Sequence, residues 1–254
     1  MLDSLLPQVT HEIPLRNLIV IYGTSQDQTK ETALQYTNKV FWDEDKGLGA
    51  ARNLGIEKAS SEIVAMIDTD IFLPKKWHER LIRHFKNPEV AAAMGTCIYG
   101  YGCLPLQRFW EHNSAHWQEQ WGCHNILLRR SSILEIGNFN KDARGAGEDY
   151  DLYKRLLNAG FKWIWDKKVV VYHPMNLLEY MQHSVWWAKG VSLMRCEKPI
   201  GLSNLLVQIA MTIKRGTSYL RIHPLLTVYI PFIDTLWLMI DFKTTRQSIC
   251  SKQQ

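Results

Sequence analysis

The sequence has few cysteines, and they are not spaced as disulfide or metal-binding pairs. The 254 residues contain five of them, scattered and without a C-x-x-C motif: Cys97, Cys103, Cys123, Cys196 and Cys250. This pattern argues against a disulfide framework and a structural zinc site, and it is typical of a reducing compartment. The N-terminus also has no basic segment followed by an apolar core, so we expect a cytoplasmic protein.

A long uninterrupted hydrophobic run is missing as well. The nearest is "HPLLTVYIPFIDTLWLMIDF" at 223–242, which contains two prolines and Asp234 and is at the short limit for a bilayer span. The preceding segment, "NLLVQIAMTIKRGTSYLR", mixes apolar residues with Lys214, Arg215 and Arg221. This composition fits an interfacial helix best, and a core or oligomer helix and a true span are the alternatives. We therefore expect a peripheral contact with the cytosolic face of a membrane.

Acidic residues do not outnumber basic ones. The formal net charge is +5, which suits work near anionic ligands or an anionic membrane surface. The basic residues are spread along the chain, and zinc-finger, RNP and helix-turn-helix patterns are absent from the sequence. We therefore expect no nucleic-acid partner.

Alternating strand and helix patterns occupy residues 16 to about 100. Short β-branched runs such as "RNLIVIYG", "EIVAMIDTD" and "EVAAAMGTCIYG" alternate with helical segments such as "LGAARNLGIEKAS". This order predicts an α/β fold with a Rossmann-like, mostly parallel sheet flanked by helices. Ligands of such sheets bind beyond the carboxyl ends of the strands.

Two carboxylates lie at one of these strand ends. Asp68-Thr69-Asp70 follows an apolar run that resembles a buried strand. Carboxylate oxygens are hard ligands that suit Mg²⁺ or Mn²⁺, and such an ion can bridge the oxygens of a diphosphate. A solvated loop or a helix cap is the alternative interpretation.

Three further positions are candidates for chemistry. Glu148 and Asp149 follow a glycine loop at a helix start, where they could present a general base or simply favour the helix dipole. Arg52, in "GLGAARNLG", could complement a phosphate or hold an acidic side chain in place. His173, at the end of "VVVYH", could be a third metal ligand or a structural hydrogen-bonding group.

The order of these motifs resembles the family 2 glycosyltransferases of the GT-A fold. The resemblance covers roughly residues 1 to 190, and two segments carry it: "GLGAARNLGIEKASSEIVAMIDTDIFLPKKWHERLIRHF" and "LLRRSSILEIGNFNKDARGAGEDYDLYKRLLNAGFKW". It implies a GT-A catalytic domain at 1–198, and the remaining residues 199–254 form an apolar and basic helical extension.

The resemblance also implies roles on the donor side. Asp68 contacts the ribose or the metal, Asp70 coordinates a Mg²⁺ or Mn²⁺ ion on the diphosphate, and His173 completes the metal site. Asp27, Arg52 and Asn53 match the family's nucleotide-sugar-binding positions. The expected donor is a UDP- or GDP-linked sugar.

On the acceptor side, the resemblance implies an inverting transfer of a single sugar. Asp149, in the pair Glu148-Asp149, would deprotonate the acceptor hydroxyl. Trp121 and Trp186 are candidate sugar-stacking rings, and Gln182 begins a Q-x-x-x-W that has valine where processive synthases carry arginine. The expected acceptor is a glycan or a lipid-linked hydroxyl.

Two departures from the family pattern keep alternatives open. The family's first strand and its V-I-P-T-Y-N-like loop have no counterpart in "MLDSLLPQVTH", so we expect that this strand is missing. "IYGTSQD" lacks acidic residues that relatives carry, which leaves base preference undecided. A catalytically inactive nucleotide-sugar-binding or assembly protein is the first alternative, and a nucleotidyltransferase is the second.

Overall fold

The computed structural model describes residues 17–24, 28–143, 145–195 and 202–252, with the backbone alone described at 191–195, 203 and 245–252. The chain divides into two compact units. The first comprises residues 1–96 and 119–171, and the second comprises 97–118 and 172–254. The domain boundary predicted at 198/199 lies outside the described residues and stays a prediction.

The first unit begins with a small parallel sheet. Strands β1 (Val20–Tyr22) and β2 (Val40–Trp42) pair in parallel, with Val20 opposite Val40, and helix α1 (Thr29–Leu34) lies between them in the chain. Parallel neighbours need such a crossover, because a tight hairpin can join only antiparallel strands.

A four-stranded sheet follows, in the order β3-β5-β4-β6. Its strands are β3 (Ile63–Ile67), β4 (Val90–Tyr101), β5 (Asn125–Arg129) and β6 (Lys162–Pro174). Both β3 and β4 run antiparallel to β5, so they run in the same direction as each other. The predicted α/β fold class is confirmed, with β5 as a reversed strand. β3 is half-buried rather than buried, because it is the end strand of this sheet.

The core of the first unit is built on β4 and β5. Every residue of β4 except Tyr101 is buried, as expected for an apolar run in the interior of a sheet. Helices α2 (Leu48–Lys58), α5 (Arg130–Glu135) and α6 (Glu148–Asn158) belong to the same unit, as does α3 (Trp77–Ile82). The central cluster is formed by Ile56, Ala91, Ala92, Met94, Cys123, Ile126, Leu128, Ile133, Phe139, Leu152 and Leu156.

The second unit is mainly helical. It contains α4 (Leu104–His116), α7 (Leu177–Arg195), α8 (Leu202–Gly216), a 3-10 helix (Thr217–Arg221) and α9 (Leu226–Lys252). Aromatic contacts connect these helices: the rings of Phe109 and Tyr219 lie 5.3 Å apart, and those of Trp110 and Tyr180 lie 6.2 Å apart. None of the helices in the described ranges has both the length and the apolar character required to cross a bilayer.

Candidate active site

The end of β3 provides the first component of the candidate site. Asp68 follows Ile67 directly, and its backbone N–H donates to the His124 carbonyl at 3.0 Å. The Asp68 side chain is 47% exposed, and Asp70 is exposed in the turn that follows. Both carboxylates can therefore be reached by a ligand from solvent.

Arg52 of α2 joins this strand end to the start of α6. Its side chain is only 11% exposed, and the guanidinium donates a hydrogen bond to Oε1 of Glu148. The other terminal nitrogen, Nη2, lies 3.9 Å from Oδ1 of Asp68. Of the two roles considered for Arg52, the geometry corresponds to holding acidic side chains in place. Its predicted contact with the nucleotide sugar stays a prediction.

Glu148 is the most buried carboxylate of the site. It is the first residue of α6, after Gly147, whose φ of 107° is accessible mainly to glycine. Its side chain is 2% exposed, and within the described part of the chain its Oε2 has no hydrogen-bond partner. Burial raises the pKa of Glu148 to about 7, and the Arg52 guanidinium opposes this shift. An orphaned carboxylate oxygen here costs free energy unless a ligand or water meets it.

Two close contacts hold the start of α2 in place. The Asn53 side chain donates to the Phe139 carbonyl at 2.9 Å and accepts from the Phe139 N–H at 2.8 Å. A Cβ on Gly49 would lie 2.1 Å from the carbonyl oxygen of Asn140, so this position needs glycine. The Asn53 amide therefore fixes the backbone beside Arg52, and its predicted role in donor binding remains untested.

Asp149 is half-buried in the first turn of α6. Its Oδ1 accepts from the Tyr150 N–H at 2.7 Å. Asp151, two residues further along the helix, is instead paired with Arg155 at 2.8 Å. A carboxylate at this helix start is stabilised by the helix dipole, and it can accept a proton from a hydroxyl that approaches it.

Trp121 packs against the helix that carries Asp149. Its ring lies 5.8 Å from that of Tyr153 in a stacked arrangement and 5.2 Å from that of Tyr150. The Tyr153 hydroxyl donates to Glu119. Trp121 is thus half-buried in an aromatic cluster, and an acceptor-stacking role remains a prediction.

The remaining predicted site residues are not part of the described first unit. His173, Gln182 and Trp186 belong to the second unit, and Asp27 lies outside the described residues. Nδ1 of His173 donates to the Pro174 carbonyl at 2.9 Å, a tautomer in which Nε2 carries the lone pair that a metal would use. Trp186 is 42% exposed.

Sequence reasoning missed Cys123 and His124, which precede β5. Because β5 runs antiparallel to β3, with Ile67 opposite Asn125, the residues before β5 lie beside Asp68. Burial raises the pKa of the Cys123 thiol, so it remains neutral and apolar in this site. To find these two residues from the sequence, one would have to know that β5 runs antiparallel to β3. Residue pattern alone does not give the direction of a strand.

Comparison with known proteins decides the family. The protein-family model described as "Glycosyl transferase family 2" matches residues 1–141, which is more than half of the chain. The chain belongs to glycosyl transferase family 2. This confirms the resemblance to that family and the expected GT-A type of fold. Residues 1–16, to which the expectation of a missing first strand refers, lie outside the described residues.

Individual family 2 relatives agree with this assignment. The chain is 27% identical over 202 residues to glycosyltransferase AglE of Haloferax volcanii, covering 70% of this chain and 66% of AglE. It is 25% identical over 212 residues to the glucosyl-dolichyl phosphate glucuronosyltransferase of the same organism, covering 72% and 66%. The chain thus spans slightly less than two thirds of the length of either relative.

A solved structure supports the fold. The mannosyltransferase PcManGT from Pyrobaculum calidifontis, in complex with GDP-Man and Mn²⁺, superposes with a TM-score of 0.56 at 16% identity, covering 98% of this chain and 69% of that one.

The donor set of this family 2 chain fits a divalent cation. Within the described ranges, no three His, Cys, Asp or Glu side chains cluster as metal ligands. Two accessible carboxylates are nevertheless sufficient for Mg²⁺-like ions, which take their remaining ligands from substrate phosphates and water. Asp68 and Asp70 are two such groups, half-exposed and exposed at a strand end.

Proposed function

We propose that the protein is an inverting, metal-dependent glycosyltransferase that moves one sugar from a UDP- or GDP-linked donor to a hydroxyl of a glycan or lipid-linked acceptor. Family membership and the carboxylates beyond β3 support this proposal together. PcManGT was solved with GDP-Man and Mn²⁺, which supports a nucleotide-sugar donor and a divalent ion here. The name of the glucuronosyltransferase relative supports a lipid-linked acceptor.

In this mechanism Asp149 acts as the base. It takes the proton of the acceptor hydroxyl while the acceptor oxygen forms a bond to the anomeric carbon of the donor. The bond from that carbon to the diphosphate breaks, and the nucleoside diphosphate leaves with the electron pair. A single displacement of this kind inverts the anomeric centre. The half-buried position of Asp149 at the start of α6 supports this role.

Donor binding falls to the strand-end residues. Asp68 and Asp70 would hold the cation, with His173 as a third ligand, and the cation would supply stabilisation of the negative charge that develops on the diphosphate. Asp27, Arg52 and Asn53 belong to the nucleotide-sugar side of the site. Arg52 acts there through its contact with Asp68, whose carboxylate it orients.

The acceptor side is formed by Trp121, Gln182 and Trp186 in this proposal. The Trp121 ring stacks on Tyr153 and also contacts Tyr150, so it packs against the helix that carries Asp149, and this supports an acceptor-side role. The enzyme would act from the cytoplasm at the cytosolic face of a membrane.

The single observation that carries the proposal is the presence of two accessible carboxylates at the end of β3 in a family 2 chain. Calorimetric titration with UDP and GDP, each with and without Mn²⁺, tests it. We expect binding of one nucleotide that needs Mn²⁺ and that Asp70→Ala abolishes. Glu135→Ala, which removes an exposed carboxylate of α5 in the same unit, is the matched control and should bind normally.

Two results would contradict the proposal. Folded protein that binds neither nucleotide would favour an inactive assembly protein. Nucleotide binding that is equally strong without Mn²⁺ would remove the role of Asp68 and Asp70 as metal ligands.

A further inference from the structure

Helix α8 has an apolar face that no other part of the described chain covers. Leu206, Val207, Met211 and Ile213 are each between 58% and 62% exposed, and Leu220 in the following 3-10 helix is 61% exposed. An exposed helical face in water normally carries polar residues. Large apolar patches on a protein surface mark interaction sites, and these exposed side chains on one helix are candidates for such a surface.

The opposite face of α8 already has its partner. Leu205, Thr212 and Gly216 are buried and share one face at helical spacing. A Cβ on Gly216 would lie 2.3 Å from Cγ of Pro231, so α8 and α9 approach each other closely at this point. Within the described part of the chain, the exposed apolar face is therefore separate from the face that packs against α9.

The charges around this face have one sign. Between residues 202 and 244, the charged side chains classed as exposed are all basic: Lys214, Arg215, Arg221 and Lys243. The two acidic residues of this range are Asp234, which is paired with Arg215, and Asp241, which is buried. An apolar face with a basic border complements an anionic surface.

We infer that the outer face of α8, with its basic end, docks on an anionic lipid surface. An anionic bilayer accepts the apolar side chains among its acyl chains and attracts Lys214 and Arg221 to its headgroups. A second copy of this chain would bring the same basic residues together, because a two-fold interface pairs identical patches. The lipid surface therefore fits the charge pattern better than self-association does.

This inference deepens the proposed function by naming a surface that binds the membrane. It rests on the proposed function only where it favours a lipid-linked acceptor over a free glycan. An acceptor carried by a membrane lipid can be reached by an enzyme that binds the same surface. The docking itself needs neither donor nor acceptor, so it can be measured separately from transfer.

Vesicle sedimentation of the full chain tests the inference. Vesicles of phosphatidylcholine alone and with a third phosphatidylglycerol are compared, without nucleotide. We expect the protein to bind the anionic vesicles at least about tenfold more strongly. Leu206→Gln with Ile213→Gln should reduce this binding at least about tenfold. The matched control, Leu134→Gln with Leu157→Gln, changes two exposed leucines of the first unit and should bind like the wild type.

A charge reversal tests the basic border. Lys214→Glu with Arg221→Glu should reduce binding to the anionic vesicles, whereas Arg83→Glu with Lys86→Glu in the first unit should not. Circular dichroism checks that each variant is folded.

Two outcomes would overturn the inference. Equal binding to both kinds of vesicle would remove the role of the basic border. No binding to either, together with light scattering that shows a dimer which Leu206→Gln with Ile213→Gln converts to a monomer, would identify a second copy as the occupant. Neither outcome touches the nucleotide titration, and loss of nucleotide binding would leave the vesicle result intact.

Discussion

Arg52 donates a hydrogen bond to Glu148, and this contact joins residues 96 positions apart in the chain. Both side chains are almost fully removed from solvent, with exposed fractions of 11% and 2%. The same guanidinium lies 3.9 Å from Asp68 and packs 5.8 Å from the centroid of the Phe139 ring. The buried guanidinium of Arg52 thus connects α2, the end of β3 and the start of α6. These elements carry the proposed donor-binding residues and the proposed base.

Replacing Arg52 with alanine should reduce the stability of the folded protein. Arg52→Ala leaves the Glu148 carboxylate buried without its partner, and breaking a buried pair in this way typically costs about 3–5 kcal/mol. We expect a loss of about 3 kcal/mol in the free energy of unfolding, measured by urea denaturation at pH 8, where Glu148 of the wild type is charged and the pKa of Glu148 in the variant is raised further by the loss of the guanidinium. Arg83→Ala removes an exposed arginine in the same unit and should change stability by less than about 0.5 kcal/mol. Equal effects of the two changes would show that the pair contributes little.

Glu148 should also make stability depend on pH. Its pKa rises from an ordinary 4.5 to about 7 on folding, because burial disfavours the charged carboxylate. The folded state therefore binds the proton more tightly, so this contribution to stability is complete below pH 4.5. This contribution is lost as the pH rises through 7. The resulting decrease in the free energy of unfolding is about 3 kcal/mol.

Glu148→Gln removes this titration. Urea unfolding of both proteins at pH 5 and pH 8 should show the wild type losing about 2–3 kcal/mol relative to Glu148→Gln over that interval. The exposed variant Glu135→Gln should follow the wild type at both pH values. A constant difference between wild type and Glu148→Gln would mean that Glu148 stays ionised in the folded protein throughout.

Much of the fold follows from local pattern. The apolar runs that become β3 and β4, the helix of small residues at α2 and the acidic helix start at Glu148 are visible in the sequence because each depends on near neighbours. The family motifs that contain Asp68 and Asp149 are short and contiguous, so the sequence predicts these two residues as candidates, and their roles stay predictions. These features are local, and periodicity reports local features well.

The pairing of distant residues could not be predicted in this way. The sequence left Arg52 as either a phosphate ligand or a partner for an acidic side chain, and only its position beside Glu148 distinguishes the two. The reversed direction of β5, which brings His124 to Asp68, is likewise set by sheet packing rather than by residue pattern. The exposed apolar face of α8 depends on which side α9 covers, and composition alone left a core helix as an alternative.

Replacing two glycines of α2 with alanine should change the stability of the protein in opposite directions. At Gly49 a Cβ would lie 2.1 Å from the backbone oxygen of Asn140, so Gly49→Ala must displace the start of the helix that carries Arg52. At Gly55 the nearest atom, Cγ1 of Ile21, would be 3.8 Å away, an ordinary contact.

We therefore expect Gly49→Ala to destabilise the protein by about 2 kcal/mol or more, as overpacking commonly does. Gly55→Ala should stabilise it by about 0.5–1 kcal/mol, since alanine is the better helix former. Thermal unfolding of both variants measures the difference. Similar melting temperatures would contradict the close approach of α2 to residue 140.

The sharpest test of the proposed chemistry compares two aspartates in one helical turn. Asp149→Asn keeps the shape of the side chain but removes the base, and loss of a general base typically lowers the rate by about 10²–10⁴-fold. Asp151→Asn removes only the partner of Arg155, a half-exposed pair worth at most about 0.5 kcal/mol, so its rate should stay within about threefold of the wild type.

Both rates are measured as release of nucleoside diphosphate in the presence of acceptor, with nucleotide affinity from the same preparations. Because Asp149 acts on the acceptor, Asp149→Asn should bind nucleotide and Mn²⁺ as the wild type does while its turnover falls. Weakened nucleotide binding would instead place Asp149 on the donor side. Equal turnover of Asp149→Asn and Asp151→Asn would assign the base to another residue, and Glu148, adjacent in the chain and buried beside Arg52, would be the next to change.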